Sequence, residues 1–413
     1  MITRNLSILL TVFACSPVFS SVLPQTIDAD ISAIESKVIQ WRRHFHQHPE
    51  LSNREFKTAE KIAAHLEQLG LEVQAGVAKT GVVALLKGQR EGKVLALRAD
   101  MDALKIQEQN EFAYRSQYDG MMHACGHDGH SAMLLGAAEY LADRVTFSGT
   151  VYFIFQPAEE HGKGAKAMIK DGLFNDYNID AVYGLHNLPG LPAGTFAIRP
   201  GSIMASESSF HIQLRGRGGH AAMPYMTVDI MLVASQIVVA LQSIVSRNLN
   251  VLSEPAVVSV TEFLTDGTVN VLPSKISLKG DCRCFSDETL QHLEASMERV
   301  VAGLCASAGA EYTFDFETVF PATVNHPAQT SVAIQVAEQV FGRGKVNGNC
   351  DRFTISEDFA NMLEVRPGCY GLIGNGGEEG SGCALHNPQY DFNDEILVEG
   401  VKYWVKLAET VLA

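Results

Sequence analysis

The stretch Met122-His123-Ala124-Cys125-Gly126-His127-Asp128-Gly129-His130 gathers three histidines, a cysteine and an aspartate into nine residues. Imidazole nitrogen, thiolate and carboxylate are the donors that hold zinc and similar transition metals. Cys125 and His127 are spaced so that one short loop can turn both toward a single ion, and Ala124, Gly126 and Gly129 let that loop bend tightly. The plainer reading of any one of these histidines is a ring satisfied by ordinary hydrogen bonds. Density weighs against that reading here, and so do matching donors elsewhere in the chain. Glu159-Glu160 directly follow an apolar strand pattern, His186 closes one, and His386 lies in a loop of the tail. A buried carboxylate without a partner is costly, so the Glu pair needs compensation. With Glu160 on a metal, Glu159 points elsewhere and is free to handle a proton. Metal held by such groups polarises a carbonyl and brings the pKa of bound water to about 7. Glu159 then takes the water proton and passes it to a departing nitrogen. A donor for the oxyanion is found in His220, within Gly216-Arg217-Gly218-Gly219-His220-Ala221-Ala222-Met223-Pro224. His44, His46 and His48 stand two apart, which scatters them around a helix, and they read as structural.

Strands alternate with helices around these residues. Helical periodicity covers residues 27–70, interrupted near Pro49. Apolar runs at 81–86, 94–98, 150–155 and 181–185 read as strands, with helices at 131–141 and 165–171. This alternation predicts an α/β fold with a mostly parallel sheet covered on both faces. Ligands gather at the carboxyl ends of such strands. Asp100, Glu159, Glu160 and His186 all fall just past predicted strand ends. From residue 207 the grammar changes to strand 209–214, helix 228–245, strands 256–263 and 275–284, helix 287–306 and strand 312–316. That βαββαβ order is ferredoxin-like. It predicts an inserted satellite domain at 207–317 within a catalytic domain built from 27–206 and 318–413, the tail returning His386 to the site on the loop 380–387.

The chain has 413 residues, enough for two or three cores, and a hydrophobic fraction of 46%. A formal net charge of −15 argues against nucleic acid or an anionic membrane as the main partner. Residues 1–20 read as an export signal: Arg4, an apolar run over 6–14, and Val18-Phe19-Ser20 before a cleavage point. This predicts a periplasmic or secreted protein. Cys15 raises a lipoprotein alternative, which bulky Phe13 disfavours. No other run reads as long and apolar enough to span a membrane. Without the signal seven cysteines remain, an odd number that leaves one thiol unpaired, and a metal-bound Cys125 accounts for it. Cys282 and Cys284 alternate on a strand and should not pair with each other.

The motifs together resemble the aminoacylase-type metal-dependent amidohydrolases, the branch with hippurate hydrolases, N-acyl-L-amino acid amidohydrolases and plant auxin–amino acid conjugate hydrolases. The resemblance rests on Arg98-Ala99-Asp100-Met101-Asp102-Ala103-Leu104, the 122–130 stretch, Gln156-Pro157-Ala158-Glu159-Glu160, Gly184-Leu185-His186-Asn187, the 216–224 loop and Leu385-His386-Asn387. It runs from about residue 30 to the end, with six motifs in order. It implies a metallopeptidase-like catalytic domain and two divalent ions, of manganese, zinc, cobalt or nickel. Cys125, His127, Glu160, His186 and His386 match the family's ligands, with Cys125 as the bridge. Glu159 matches the general base and Asp100 a carboxylate that orients a ligand. His220 matches a substrate-binding histidine of the inserted domain, often acting across a dimer interface, which implies a homodimer. Asn270 matches a position that meets substrate, and Arg283 stands where a charge for the substrate carboxylate is expected. The implied substrate is a small N-acyl amino acid or short peptide. Lys105 departs from the family's proline, Cys282 and Cys284 from its small or apolar residues, and an export signal is unusual there. A dipeptidase on the same scaffold, a thiol hydrolase with Cys125 as nucleophile, and a non-catalytic metal-binding protein are the competing readings; the last two leave Glu159 without a task.

Overall fold

The structure, a computed structural model, describes residues 25–377 and 383–413. The export signal read over 1–20 lies outside the described residues, as do residues 380–382 of the loop read to carry His386. The first sheet has eight strands. In spatial order they are Glu72–Val77, Gly81–Lys87, Thr150–Gln156, Val94–Asp100, Ala181–Pro189, Gly368–Gly376, Phe196–Ala197 and Val346–Asn347. The four central strands are parallel neighbours, whereas the pairings at 72–87, 81–156 and 196–376 are antiparallel.

The reason is legible strand by strand. Side chains alternate across a strand, and a sheet covered on both faces needs apolar residues on each. Leu95, Leu97 and Ala99 enter one core with Val151, Phe153 and Phe155. Ala96 and Ile154 enter the core on the other face. The helices Gln25–Gln47, His127–Asp143 and Leu397–Val411 pack over the first face around Leu134, Val401 and Trp404. Gly164–Lys170 and Ala360–Val365 cover the second around Met168, Phe359 and Tyr370. The tail adds its strand beside Ala181–Pro189, pairing Leu372 with His186.

The second sheet is antiparallel, in the order Val257–Thr265, Lys275–Arg283, Glu207–Arg215, Glu311–Phe320. Chain order with its two helices, Ile230–Ser243 and Asp287–Ala308, is βαββαβ. Phe210, Ile212 and Leu214 point to those helices and are buried with Ile237, Leu278, Leu293 and Val301. Ser286 caps the second helix by accepting the Thr289 amide, and Gly309 ends it in a left-handed conformation.

Two expectations need correction, and one strand was not read from the sequence at all. The strand Glu72–Val77 has no apolar alternation because it is an edge with only Val77 buried. Strand Glu311–Phe320 extends well beyond 312–316, its polar residues alternating onto the open face of the sheet. The helical stretch Ile230–Asn248 is, contrary to the sequence reading, long and apolar enough to cross a membrane by length and composition. It instead lays Ile230, Val233, Ala234, Ile237 and Leu241 into the second core. Where proline was expected, Lys105 is exposed at a bend, and the turn closes through the Ile106 amide on the Leu104 carbonyl.

Gly184 sits under the Tyr370 ring: a Cβ there would lie 2.3 Å from a ring carbon of a fully buried side chain on the neighbouring strand. Gly184→Ala is therefore expected to destabilise the protein by about 1–3 kcal/mol, as overpacking does, read from denaturant unfolding midpoints at unchanged m-value.

Candidate metal centre

The carboxyl ends of the parallel strands converge on one cleft. Asp100 is the last residue of its strand, Glu159 opens a short 3-10 turn just past Gln156, and His186 lies inside its strand rather than past it. Three left-handed residues aim the site. Gly126 has φ +99° between Cys125 and His127, Ala158 has φ +52° just before Glu159, and His386 itself has φ +64°. For the two non-glycine residues this conformation costs on the order of 1–3 kcal/mol each. Gly129 serves differently from the expected tight bend: the Phe392 ring occupies the space a Cβ would take.

Donor atoms of Cys125, His127 and His186 lie within 4.8 Å of one another, as do those of Cys125, Glu160 and His386, and the two sets share Cys125. Cys125 Sγ is 3.5 Å from His186 Nε2, and His386 Nε2 is 3.4 Å from Glu160 Oε2. The ring orientations are fixed from behind. His127 donates Nδ1–H to the Asp102 carbonyl at 2.9 Å, and His186 donates Nδ1–H to the Asn187 carbonyl at 2.5 Å. Both therefore present Nε2 to the cleft, the arrangement outer hydrogen bonds impose on metal-ligating histidines. His127 Nε2 and Glu160 Oε1 are buried, have no hydrogen-bond partner and face each other at 4.0 Å. Two buried polar atoms left without a partner at that spacing are what a bound cation would satisfy, with imidazole and carboxylate as its donors.

Electrostatics agree. Burial, then Glu160 and Glu159, push the Cys125 thiol well above its ordinary range. A reactive catalytic cysteine needs the opposite, electropositive setting, so the thiol-hydrolase reading loses its support. Burial lowers the proton affinity of His127, but Asp100 and Asp102 outweigh it and raise its pKa to about 10. Its Nε2 thus sits where a positive charge is favoured. Burial and the neighbouring His130 push His186 well down, leaving a neutral imidazole with a free lone pair. Burial, then Glu357 and Glu160, push Glu159 well above the usual carboxylate range.

Asp102, not singled out in the sequence, makes the contact that orients His127; its carboxylate also accepts Ser52 Oγ at 2.6 Å and the Glu160 amide at 3.2 Å. Asp100 reaches the centre through His130, whose Nδ1 lies 2.6 Å from Asp100 Oδ1 and whose ring packs against His186 at 4.4 Å between centroids. Despite burial, which works the other way, His127, His130 and Arg98 hold Asp100 well below its ordinary pKa. Glu357 and Asp358 were also missed. Their signal, Ser356-Glu357-Asp358-Phe359, is a second pair of adjacent acids ahead of an apolar residue. They grip Arg98 at 2.8 and 3.2 Å and flank Glu159, whose Oε1 accepts the Asp358 amide at 3.4 Å.

A cavity of about 460 Å³ is lined by Cys125, Glu159, Glu160, His186, His386 and Arg283, with Met204, Phe320, Ile355 and Leu385 as apolar wall. Arg283 is committed within it, donating to Asp281 at 2.9 Å and Ser356 at 2.8 Å and pairing with Glu207 at 3.0 Å. His220 and Asn270 do not line this cavity. They adjoin on an exposed two-stranded ribbon separate from the second sheet, where His220 pairs with Val271 and the Ala221 amide reaches the Asn270 carbonyl. His46 is buried rather than scattered to solvent, between Asp128 and Glu108.

Residues 96–410 match the model of peptidase family M20/M25/M40. The chain is 38% identical to an N-acetylcysteine deacetylase of Bacillus subtilis, over 92% of this chain and 98% of that protein. It is 37% identical to a hippurate hydrolase of Campylobacter jejuni, over 94% of this chain and 98% of that one. A solved Bacillus subtilis structure titled a dinuclear metal-binding peptidase of the M20 family superposes with a TM-score of 0.81 at 35% identity, covering 92% of this chain and 99% of that one. The chain belongs to peptidase family M20/M25/M40 and is a metal-dependent hydrolase acting on amide bonds. The two donor sets sharing Cys125, together with that neighbour, support two divalent ions.

Gly126→Ala meets both a left-handed backbone and the Asn187 side chain, whose Oδ1 would lie 2.1 Å from the new Cβ. It should weaken metal binding by roughly 10- to 100-fold, the range seen when ligand support is lost. Competition against a chelating dye measures this.

Proposed function

We propose that this chain hydrolyses the amide bond of N-acyl or aryl-acyl amino acids, releasing a carboxylic acid and a free amino acid. One observation carries the reading: four of the five candidate ligands, Cys125, Glu160, His186 and His386, and the proton-handling Glu159 share a cavity that also holds Arg283 and an apolar stretch of wall. Met204, Phe320, Ile355 and Leu385 suit an acyl or aryl group better than a charged peptide end. Cys125, His127, Glu160, His186 and His386 would hold the ions, with Cys125 between them. The mixed thiolate, imidazole and carboxylate donors suit zinc, cobalt, nickel or manganese. Bound there, such ions supply Lewis acidity toward a carbonyl oxygen and toward water.

The chain's own groups do the rest. Glu159 accepts a proton from the attacking water and returns it to the leaving nitrogen. Its burial, beside Glu357 and Glu160, raises its proton affinity above that of an ordinary glutamate, which favours holding the proton between the two transfers. Asp102, Asp100 and His130 keep the ligand rings turned toward the cleft. Arg283 meets the substrate carboxylate, sharing its guanidinium with Glu207 and Asp281. His220 and Asn270 reach the site of a partner chain in a homodimer. Support comes from the exposed apolar surface around their ribbon, with Tyr225, Met226, Val269 and Leu264 more than half exposed. Export by the 1–20 signal places the reaction outside the cytoplasm.

A chelator should abolish activity, and manganese or zinc should restore it. Glu159→Gln should lower kcat by about 10²- to 10⁴-fold, the usual weight of a positioned acid–base group, while metal content stays at the parental level. Full activity of either sample overturns the mechanism, and faster cleavage of dipeptides than of matched acyl-amino acids moves the assignment to a dipeptidase. The acid limb of the parental pH–rate profile should lie above 4.5, the ordinary glutamate value, since only ionised Glu159 accepts the proton. Mixing inactive Glu159→Gln and His220→Ala chains should regain up to about one quarter of the parental rate, because random dimers pair one intact Glu159 with a partner's His220. No recovery after subunit exchange counts against action between chains.

A further inference from the structure

The stretch Trp41-Arg42-Arg43-His44-Phe45-His46 has no place in the chemistry above, yet it supplies the most deeply buried ionic cluster outside the cleft. Arg42 and His46 stand one turn apart on the helix Gln25–Gln47, and both are fully buried. They share one carboxylate, Asp128: His46 Nδ1 is 2.8 Å and Arg42 Nε 3.3 Å from its Oδ2. His46 Nε2 is held in turn by Glu108 at 3.1 Å. Asp128 directly follows His127 in the first turn of the helix His127–Asp143. The other arm of Arg42 leaves this helix. It pairs with Asp391 and donates to the Phe392 carbonyl at 3.0 Å, while its Nε is also 3.5 Å from Asp394. Asp391 is fixed from outside by Tyr114 Oη at 2.7 Å, and Phe392 packs on Gly129. One guanidinium thus joins the segment that carries His127 to the segment that follows His386.

We infer that Arg42 and His46 are positioning residues of the metal centre, fixing where His127 and His386 stand relative to each other. This inference rests on the ligand reading proposed above. Asp102 holds the His127 ring at Nδ1, while the setting of the helix start about its axis decides where that ring stands in the cleft. Asp128, the next residue, is held by Arg42 and His46 from the helix Gln25–Gln47, which fixes that setting. His386 lies in an exposed turn, more than half open on its side chain, with its amide tied to the Ala124 carbonyl at 2.8 Å. The Asp391–Phe392 grip adds a second tie to the segment that follows it, from the same guanidinium. Two ligands distant in sequence are then held to one rigid reference, the N-terminal helix.

The test separates placement from mere stability. Full-length parent, His46→Asn, Arg42→Lys, Arg42→Met and the double variant Arg42→Met/Asp128→Asn are stripped with chelator. Each is titrated with zinc(II) and with manganese(II) against a chelating dye, and melted with and without metal. His46→Asn and Arg42→Met should bind metal roughly 10- to 100-fold more weakly, the range for lost outer support of a ligand, and should show a smaller metal-induced rise in Tm. Arg42→Lys should recover only part of the affinity, since an ammonium cannot bridge Asp128 and Asp391 as a planar fork does. The double variant removes the buried Asp128 charge that Arg42→Met leaves with His46 alone, so its metal-free Tm should rise relative to Arg42→Met while its affinity stays low. Parental affinity in the folded variants, with only the metal-free Tm lowered, overturns the inference. Should Arg42→Met fail to fold, His46→Asn decides. A parent that binds neither ion overturns the ligand reading itself, and this one with it.

Discussion

Too much negative charge is gathered under the cleft for the protein to balance alone. Asp100, Asp102, Glu159, Glu357 and Asp358 are buried within a few side chains of one another, with Glu160 at their edge. Among the described residues the one permanent cation between them is Arg98, fully buried, which donates to Gln156 and pairs with Asp100, Glu357 and Asp358. Burying carboxylates without partners is expensive. Arg98 and the Asp358 contacts to Gln156 and the Ala165 amide satisfy the deep half of the cluster. The half facing the cleft keeps the unpartnered His127 Nε2 and Glu160 Oε1. A site with this surplus is built for divalent ions, and the parallel sheet, whose strand ends converge there, is what brings the acids together.

That organisation was readable because its signals are local. Apolar strand runs stop where the ligands begin, so Glu159 and Glu160 could be placed from the strand that ends at Gln156. The βαββαβ order of the second sheet was also plain, since Phe210, Ile212 and Leu214 alternate cleanly with Ser209, His211 and Gln213. Nothing in the neighbourhood of His386 marks it, and its place at the cleft came from reading the tail as the completion of the first domain and from the family pattern.

What stayed hidden is long-range. Glu357-Asp358 look like a solvated acidic turn until Arg98, far away in the chain, is seen between them. Asp102 looks no more important than Asp100, and only the fold shows which of them meets His127 Nδ1. Spacing of two set His46 apart from its neighbours, but His44 and His48, one turn apart, stack on each other at 4.4 Å, and only the fold shows His46 turning inward onto Asp128. His220 and Asn270 show the converse limit: they adjoin, as their motifs suggest, on a ribbon away from this chain's own cavity.

The strand Gly368–Gly376 lies in the middle of the first sheet but comes near the end of the chain. During synthesis, therefore, Ala181–Pro189 emerges long before the neighbour it pairs with. For that interval the nascent polypeptide carries an apolar, unpaired strand edge, the kind of surface that adheres to other chains. Assembly of this protein from the ribosome is then a closing event rather than a gradual one, and it makes the unfinished chain a natural client for holdase chaperones.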